Sequence, residues 1–166
     1  VMGVMDVLLA FPGIFLAIGL IAALGPGLIN VTIAVGINNI PIFARLVRGQ
    51  VLSVKSREYV EAASSLGMRT PGILARHVLP NVIAPIIVMT SLRLASSILA
   101  AASLSFLGLG VQAPLAEWGA MIDDGRRYIR NSWWVATFPG LALMFTVISF
   151  NLLSDGLRDL LDPRSR

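Results

Sequence analysis

The side chains that could do chemistry are few in this chain, and they do not form a recognisable catalytic site. Cysteine is absent and His77 is the single histidine, so the sequence excludes disulfides, thiolate metal sites and histidine-pair metal sites. Lys55, the single lysine, follows Val54 at the position where a phosphate-binding loop needs glycine. Neither a nucleophile-elbow serine motif nor a zinc-binding His-Glu-x-x-His helix is present. We therefore predict no enzymatic activity, no cofactor and no metal site.

Arg93 is a charged residue near the centre of an otherwise apolar segment, residues 82–106. Inside a membrane such a charge costs ~2.5–3.5 kcal/mol unless it faces protein or water. It either lines a polar route or pairs with another helix. Serines that follow Arg93 in the same segment favour close helix packing over a polar route: Ser96, Ser97, Ser103 and Ser105. Arg93, Ser96 and Ser97 are the candidate pathway residues.

A second pattern lies in the charged stretch around Glu61-Ala62-Ala63. Apolar positions three and four apart over residues 50–66 predict a short helix, with its apolar positions at Val51, Val54, Tyr59, Ala62, Ala63 and Leu66. Gly67 follows, and we expect it to end the helix in the left-handed conformation, with ~1–2 kcal/mol less strain than another residue. The small residues Ala62 and Ala63 would let another protein approach closely. The alternative is a helix that only caps its own bundle.

A second short helix is expected after Gly67. Thr70 can accept an unpaired backbone N–H and Pro71 suits the first helical position, which predicts a helix over residues 72–78. Leu79-Pro80 marks the entry into the next apolar segment. Because proline disfavours helical geometry in the residue before it, we expect a bend there.

The elements that position these residues belong to a membrane. The chain is 56% hydrophobic and 13% charged, against about 25% charged in a soluble domain. Residues 7–44 carry no charge and exceed the ~20 residues of one crossing, and Gly25-Pro26-Gly27 divides them. We predict a single all-α membrane domain, residues 1–166, a helical bundle with about four transmembrane helices. Its spans are residues 7–24, 28–44, 82–106 and 135–153.

Charge predicts the orientation of the connecting loops. Basic residues dominate the loop 45–80, so the positive-inside rule predicts that it is cytoplasmic and explains the net charge of +4 without nucleic acid. The connector 107–134 is charge-balanced and is expected outside. Its aromatic residues favour the headgroup zone of the lipid: Trp118, Tyr128, Trp133 and Trp134. Four crossings place both ends in the cytoplasm.

The spacing of Glu61-Ala62-Ala63, of Gly67 six positions after the glutamate, and of Leu79-Pro80 resembles the EAA loop of ATP-binding-cassette importer permeases. His77 departs from this pattern, which usually has isoleucine there, but residues 76–81 are similar to the peptide-permease branch. Further stretches resemble the second permease subunit of dipeptide, oligopeptide and nickel importers: residues 6–13, 44–50, 103–110 and 150–163.

This resemblance implies a type I importer permease fold of six helices, so two helices before residue 1 are expected to be missing. It implies that the loop inserts into a cleft of an ATPase, with Glu61, Ala62, Ala63, Gly67, Leu79 and Pro80 as coupling residues; Glu61 as a solvated helix charge is the alternative. Implied partners are a second permease subunit, two cytoplasmic ATPase subunits and an extracytoplasmic solute-binding protein, in the plasma membrane of a prokaryote. The implied solute is a short peptide or a related molecule.

The residues alone leave two alternative functions open. A stand-alone channel or secondary transporter would need no partner, but ion coupling needs carboxylates, and residues 7–44, 82–106 and 135–153 contain none. The loop could also be a helix-turn-helix of a membrane-anchored regulator, which salt-dependent DNA binding would support. Attachment of both loop ends to membrane spans argues against that function.

The sequence departs from the family at one further place. Many peptide permeases have a glutamate shortly before the stretch that begins at Ser103, whereas this chain has Ala100, Ala101 and Ala102 there.

Overall fold

The computed structural model describes residues 2–112 and 114–161, and the regular structure of these residues is helical, without strands. Three of the helices are long and apolar enough to cross a membrane, or four crossings result if the bent pair Met2–Ala10 and Gly13–Leu24 is one span. The predicted all-α membrane fold is confirmed. In chain order the helices are α1 (Met2–Ala10), α2 (Gly13–Leu24), α3 (Leu28–Lys55), α4 (Glu58–Ser65), α5 (Thr70–Ile73), α6 (Leu79–Phe106), α7 (Trp118–Arg126) and α8 (Trp134–Leu161).

The first predicted span, residues 7–24, is not a single helix. α1 ends at Ala10 and α2 begins at Gly13, and the two axes are bent by 94°. Pro12 explains the break, because proline lacks the N–H of the helical ladder and disfavours helical geometry in the residue before it. α1 packs against α3, and an exposed ion pair joins the two, with 2.9 Å between Arg45 Nη2 and Asp6 Oδ1.

The helix of the second span continues past its predicted end at residue 44. α3 runs on to Lys55, about 16 Å beyond Ala44. Its charged residues do not stop it, since arginine and lysine are good helix formers. The break comes at Ser56 and Arg57, so the single helix expected over residues 50–66 is wrong. α8 likewise continues past residue 153, and the end of the 150–163 stretch lies outside the described residues.

The helix is not interrupted at Leu79-Pro80, where a bend was expected. Residues 70–106 form one continuous helical unit, and Leu79 has helical φ and ψ of −55° and −46°. Between α5 and α6 the helix widens into a π turn over Leu74–Val78. The ring of Pro80 would clash with the carbonyl four residues earlier in a regular helix, and a wider turn moves that carbonyl away. Proline is therefore accommodated without a break in the helix.

The start of α5 also differs from the expectation. Arg69, not Thr70, is the residue before the first helical position, and no side chain caps this end. Pro71 does lie in the first turn, as expected for its preset φ.

α6 is the central helix of the bundle, since it packs against α3, α7 and α8. A core cluster joins α2, α3 and α6 and consists of Ala17, Ile21, Val31, Ala34 and Leu104. A second cluster lies where α3 ends and α6 begins, and it supports the candidate site.

Candidate functional site

α4 and α5 form a helix pair that is anchored to the ends of two long helices. The second core cluster contains Val54 of α3, Val60 of α4, Val78 of the π turn and Val82 of α6. Each valine that is fully buried in this way stabilises the packing by ~1.5–3 kcal/mol. The predicted loop is therefore a fixed extension of the bundle.

Gly67 forms the turn between the two helices, as predicted, with φ at +81°. The Met68 N–H donates to the Ala63 carbonyl at 3.1 Å, and the Gly67 N–H donates to the Ser64 carbonyl at 3.0 Å. These two bonds make the full Schellman arrangement that satisfies the last carbonyls of a helix. A Cβ at Gly67 would meet nothing within 4 Å, so the backbone conformation alone favours glycine.

The exposed face of α4 differs from the predicted one. Ala63 is only 8% exposed and packs inward, whereas Leu66 is 88% exposed and Glu61 and Ala62 are exposed. Val60, which the pattern over residues 50–66 left out, is buried instead. The break at residues 56–57 explains the error, because it resets the helical register after Val54.

Glu61 lies at the edge of a cavity of about 350 Å³ between α3, α4 and α5, which Lys55 also lines. The pair is further tied to the π turn by the rings of Tyr59 and His77, whose centroids are 6.0 Å apart. Leu79 and Pro80 are exposed in the first turn of α6. Just beyond them, the Asn81 side chain donates to the His77 carbonyl at 2.7 Å. The predicted residues of this region thus share one end of the bundle.

The predicted pathway residues lie elsewhere, since Arg93 is about 21 Å along α6 from Leu79. Arg93 is half-buried, and within residues 2–112 and 114–161 no carboxylate pairs with it. Ser97 packs between helices, since its hydroxyl accepts a 3.1 Å hydrogen bond from Asn39 of α3. Ser96 instead lines a cavity together with Asn38.

Leu66 and Asn38 are two residues that sequence reasoning did not select as functional; Leu66 was expected only as an apolar position of the predicted helix. Leu66 has one of the most exposed large apolar side chains among the described residues. Its position directly before a helix-ending glycine could have indicated this exposure, because a residue at the end of a helix seldom belongs to the buried face of that helix. Asn38 had no such signal, since its place beside α6 depends on how the helices pack.

Comparison with known proteins gives a consistent result. The family model described as "Binding-protein-dependent transport system inner membrane component" matches residues 1–166. The chain is 49% identical over 163 residues to the dipeptide transport system permease protein DppC of Alkalihalophilus pseudofirmus. It is 52% identical over 164 residues to the glutathione transport system permease protein GsiD of Shigella dysenteriae serotype 1 and to that of Escherichia coli O157:H7.

These matches cover 98–99% of this chain but 54% of each relative. The chain thus spans about half the length of the curated relatives it matches.

Proposed function

This chain belongs to the family of binding-protein-dependent transport system inner membrane components, and on that premise we propose that it is part of the permease subunit of an ATP-driven importer. In this proposal α3, α6 and α8 contribute to the route through the membrane, and the helix pair α4–α5 couples that route to a separate ATPase. The chain lacks a phosphate-binding loop, so in this proposal the partner ATPase hydrolyses the ATP. The family does not favour a solitary channel or a DNA-binding regulator.

The coupling role is supported by two features of the helix pair: buried valines that fix it to the bundle, and an exposed leucine at its turn, which we call the apolar tip. Val60 and Val78 fix the pair to the bundle, while Leu66 presents an almost fully exposed apolar side chain beside Gly67. A partner's pocket would remove this side chain from water and so stabilise the contact. Glu61 and Ala62 lie on the same exposed helix and belong to the proposed contact.

The proposed partners follow from the family and from the loop. They are an ATPase subunit at each coupling loop, a second permease subunit that completes the route, and an extracytoplasmic solute-binding protein. The loop carries more basic than acidic residues, so we place it in the cytoplasm, where the ATPases would bind it. This orientation also places α7 and the connector outside, on the side of the binding protein.

The proposed solute is a short peptide or a related small molecule. The relatives are named for dipeptide and glutathione transport, and both kinds of solute contain amide bonds and carboxylates. The sequence resemblance to the dipeptide, oligopeptide and nickel branch agrees with this class.

Crosslinking tests the coupling role. The 166 residues contain no cysteine, so Ala62→Cys and Ser64→Cys can be introduced singly into a full-length subunit whose remaining part is also free of cysteine, assembled with its candidate ATPase. Both positions are exposed, whereas the neighbouring Ala63 is buried, so Ala63→Cys is the matched control. We expect crosslinks to the ATPase from positions 62 and 64 that change when ATP binds, and few from position 63. Absence of all crosslinks in an assembled complex would contradict coupling through α4 and α5 and leave this helix pair a packing role.

Leu66→Ser tests the apolar tip. Because Leu66 is 88% exposed, we expect its replacement to leave the melting temperature of the isolated subunit unchanged. Loss of a buried leucine at the interface should weaken ATPase binding by about tenfold, at ~1.4 kcal/mol per factor of ten. Val60→Ala is the contrasting variant and should lower the free energy of unfolding by ~1–3 kcal/mol. Unchanged ATPase affinity in Leu66→Ser would exclude this residue from the interface.

A further inference from the structure

A cavity of about 270 Å³ lies between α2, α3 and α6, more than halfway along α6. Most of its walls are apolar. Its polar lining consists of Asn38, Ser96 and Ser103. Gly13 of α2 also lines it, and a Cβ there would collide with the Asn38 side chain, so the glycine leaves room for that amide.

The Asn38 amide is uncommitted, in contrast to that of its neighbour. Asn39 donates to the Val35 carbonyl at 2.9 Å and to Ser97 Oγ at 3.1 Å. Asn38 makes no hydrogen bond to any residue in the described ranges 2–112 and 114–161, although it is half-buried. An asparagine amide offers two donors and one acceptor. In an apolar region such a group needs a partner, and the cavity provides the space for one.

Arg93 is a half-buried positive charge on α6 that does not itself line the cavity. It precedes Ser96 by one turn of α6, and the Ser96 hydroxyl donates to the Arg93 carbonyl at 3.1 Å. The bond between Asn39 and Ser97 sets α3 and α6 in register, so Asn38 lies at the level of Ser96 and Ser97. One charged group and two neutral polar groups therefore lie within about two turns along the bundle.

On the premise of the proposed function, we propose that Arg93, Ser96 and Asn38 form a transient subsite that receives the carboxylate and amide groups of a passing anionic solute. A carboxylate entering the hydrocarbon region carries a cost like that of a buried arginine, ~2.5–3.5 kcal/mol on insertion scales. Each charge offsets the cost of the other when they meet. The subsite then favours solutes with a carboxylate over otherwise identical neutral ones, inside the membrane and independently of the binding protein.

The assembled transporter in liposomes, with its ATPases and its binding protein, tests this. ATP-dependent uptake is measured for alanyl-glutamate, alanyl-alanine and alanyl-alanine amide, in the wild type, Arg93→Gln, Arg93→Lys and Thr90→Val. Thr90 is an exposed residue on α6 that bonds only to the Ile86 carbonyl, which makes it a control for polar substitutions in this helix. The same binding protein serves every variant, so the ratio of variant to wild-type uptake cancels its selectivity. ATPase stimulation by the loaded binding protein is recorded in parallel.

We expect Arg93→Gln to lower uptake of the two peptides with a free carboxylate roughly tenfold or more, the size of a lost charge-assisted hydrogen bond. Uptake of the amide should change by less than about twofold, ATPase stimulation should persist, and Arg93→Lys should recover most of the loss because it keeps the charge. An equal loss for all three solutes would overturn the proposal and assign Arg93 to pairing with an acid on a neighbouring helix. No loss would overturn it too. A wild-type assembly without ATP-dependent uptake would instead overturn the proposed function, and the subsite with it.

Discussion

The coupling proposal depends on the left-handed backbone conformation of Gly67. Its φ of +81° is one that a side chain with a Cβ adopts at a cost of ~1–2 kcal/mol. We expect Gly67→Ala to lower the free energy of unfolding by that amount and to reduce ATPase binding, and Gly67→Asn to be milder, because asparagine tolerates this region better. Thermal unfolding of the full-length subunit and ATPase affinity are the measurements.

Gly49→Ala is the control for Gly67, because Gly49 lies in regular α3 with nothing within 4 Å of a new Cβ. Alanine there should be neutral or stabilising by up to ~1 kcal/mol. If both substitutions had the same effect, the positive φ of Gly67 would not be the cause.

Single residues with a strong local preference were predictable from the sequence. The left-handed conformation of Gly67 follows from its place after a helix and needs no knowledge of the fold. The inward position of Val60 and the exposure of Leu66 were not predictable, because they depend on a break at residues 56–57 that no glycine or proline marks. The role of Asn39, which bonds to Ser97 across the bundle, likewise depends on the register between two helices.

At the scale of elements, two glycines allow α7 to pack closely against α6 and α8. A Cβ on Gly119 would collide with the Ala102 carbonyl of α6, and one on Gly125 would lie 2.8 Å from the Ala136 nitrogen of α8. Gly119→Ala should therefore push α7 away from α6 and lower the free energy of unfolding by ~1–3 kcal/mol, as overpacking does. Gly140→Ala in α8, where a Cβ would meet nothing within 4 Å, should have little effect. Equal melting temperatures for the two variants would show that α7 does not pack as closely as described.

Helix existence was predicted more reliably than helix ends. Long uncharged stretches predict the main spans because the hydrocarbon thickness sets their length. The predicted helix ends were wrong where a single proline and the longer sequence pattern around it predicted different structures. Proline predicted a bend at Pro80, but a π turn absorbed it, and the uncharged stretch 7–24 hid the 94° break at Pro12.

At the scale of the whole molecule, α6 connects the two candidate sites. Its continuous unit, residues 70–106, includes α5 at one end and Arg93 and Ser96 further along. Helix continues without a break from α5 through the π turn and past Pro85 to Arg93, so a displacement of α4 and α5 by a bound ATPase would be passed on to α6. This gives the proposed coupling a direct mechanical route to the proposed subsite.

That route requires that α6 crosses the membrane, so that the coupling loop and the α7 connector lie on opposite faces. Ser65 and Asn131 are exposed on either side of it, and we expect a membrane-impermeant maleimide to label Asn131→Cys in right-side-out vesicles and Ser65→Cys in inside-out vesicles. Ala34→Cys, at a position with 0% exposure, should stay unlabelled in both and controls for nonspecific labelling, while Ser65→Cys should stay unlabelled in right-side-out vesicles and so controls for leakage. Labelling of both loops from the same face would mean that α6 does not cross. The reverse pattern would keep the crossing but place the basic loop outside, against the charge rule and out of reach of a cytoplasmic ATPase.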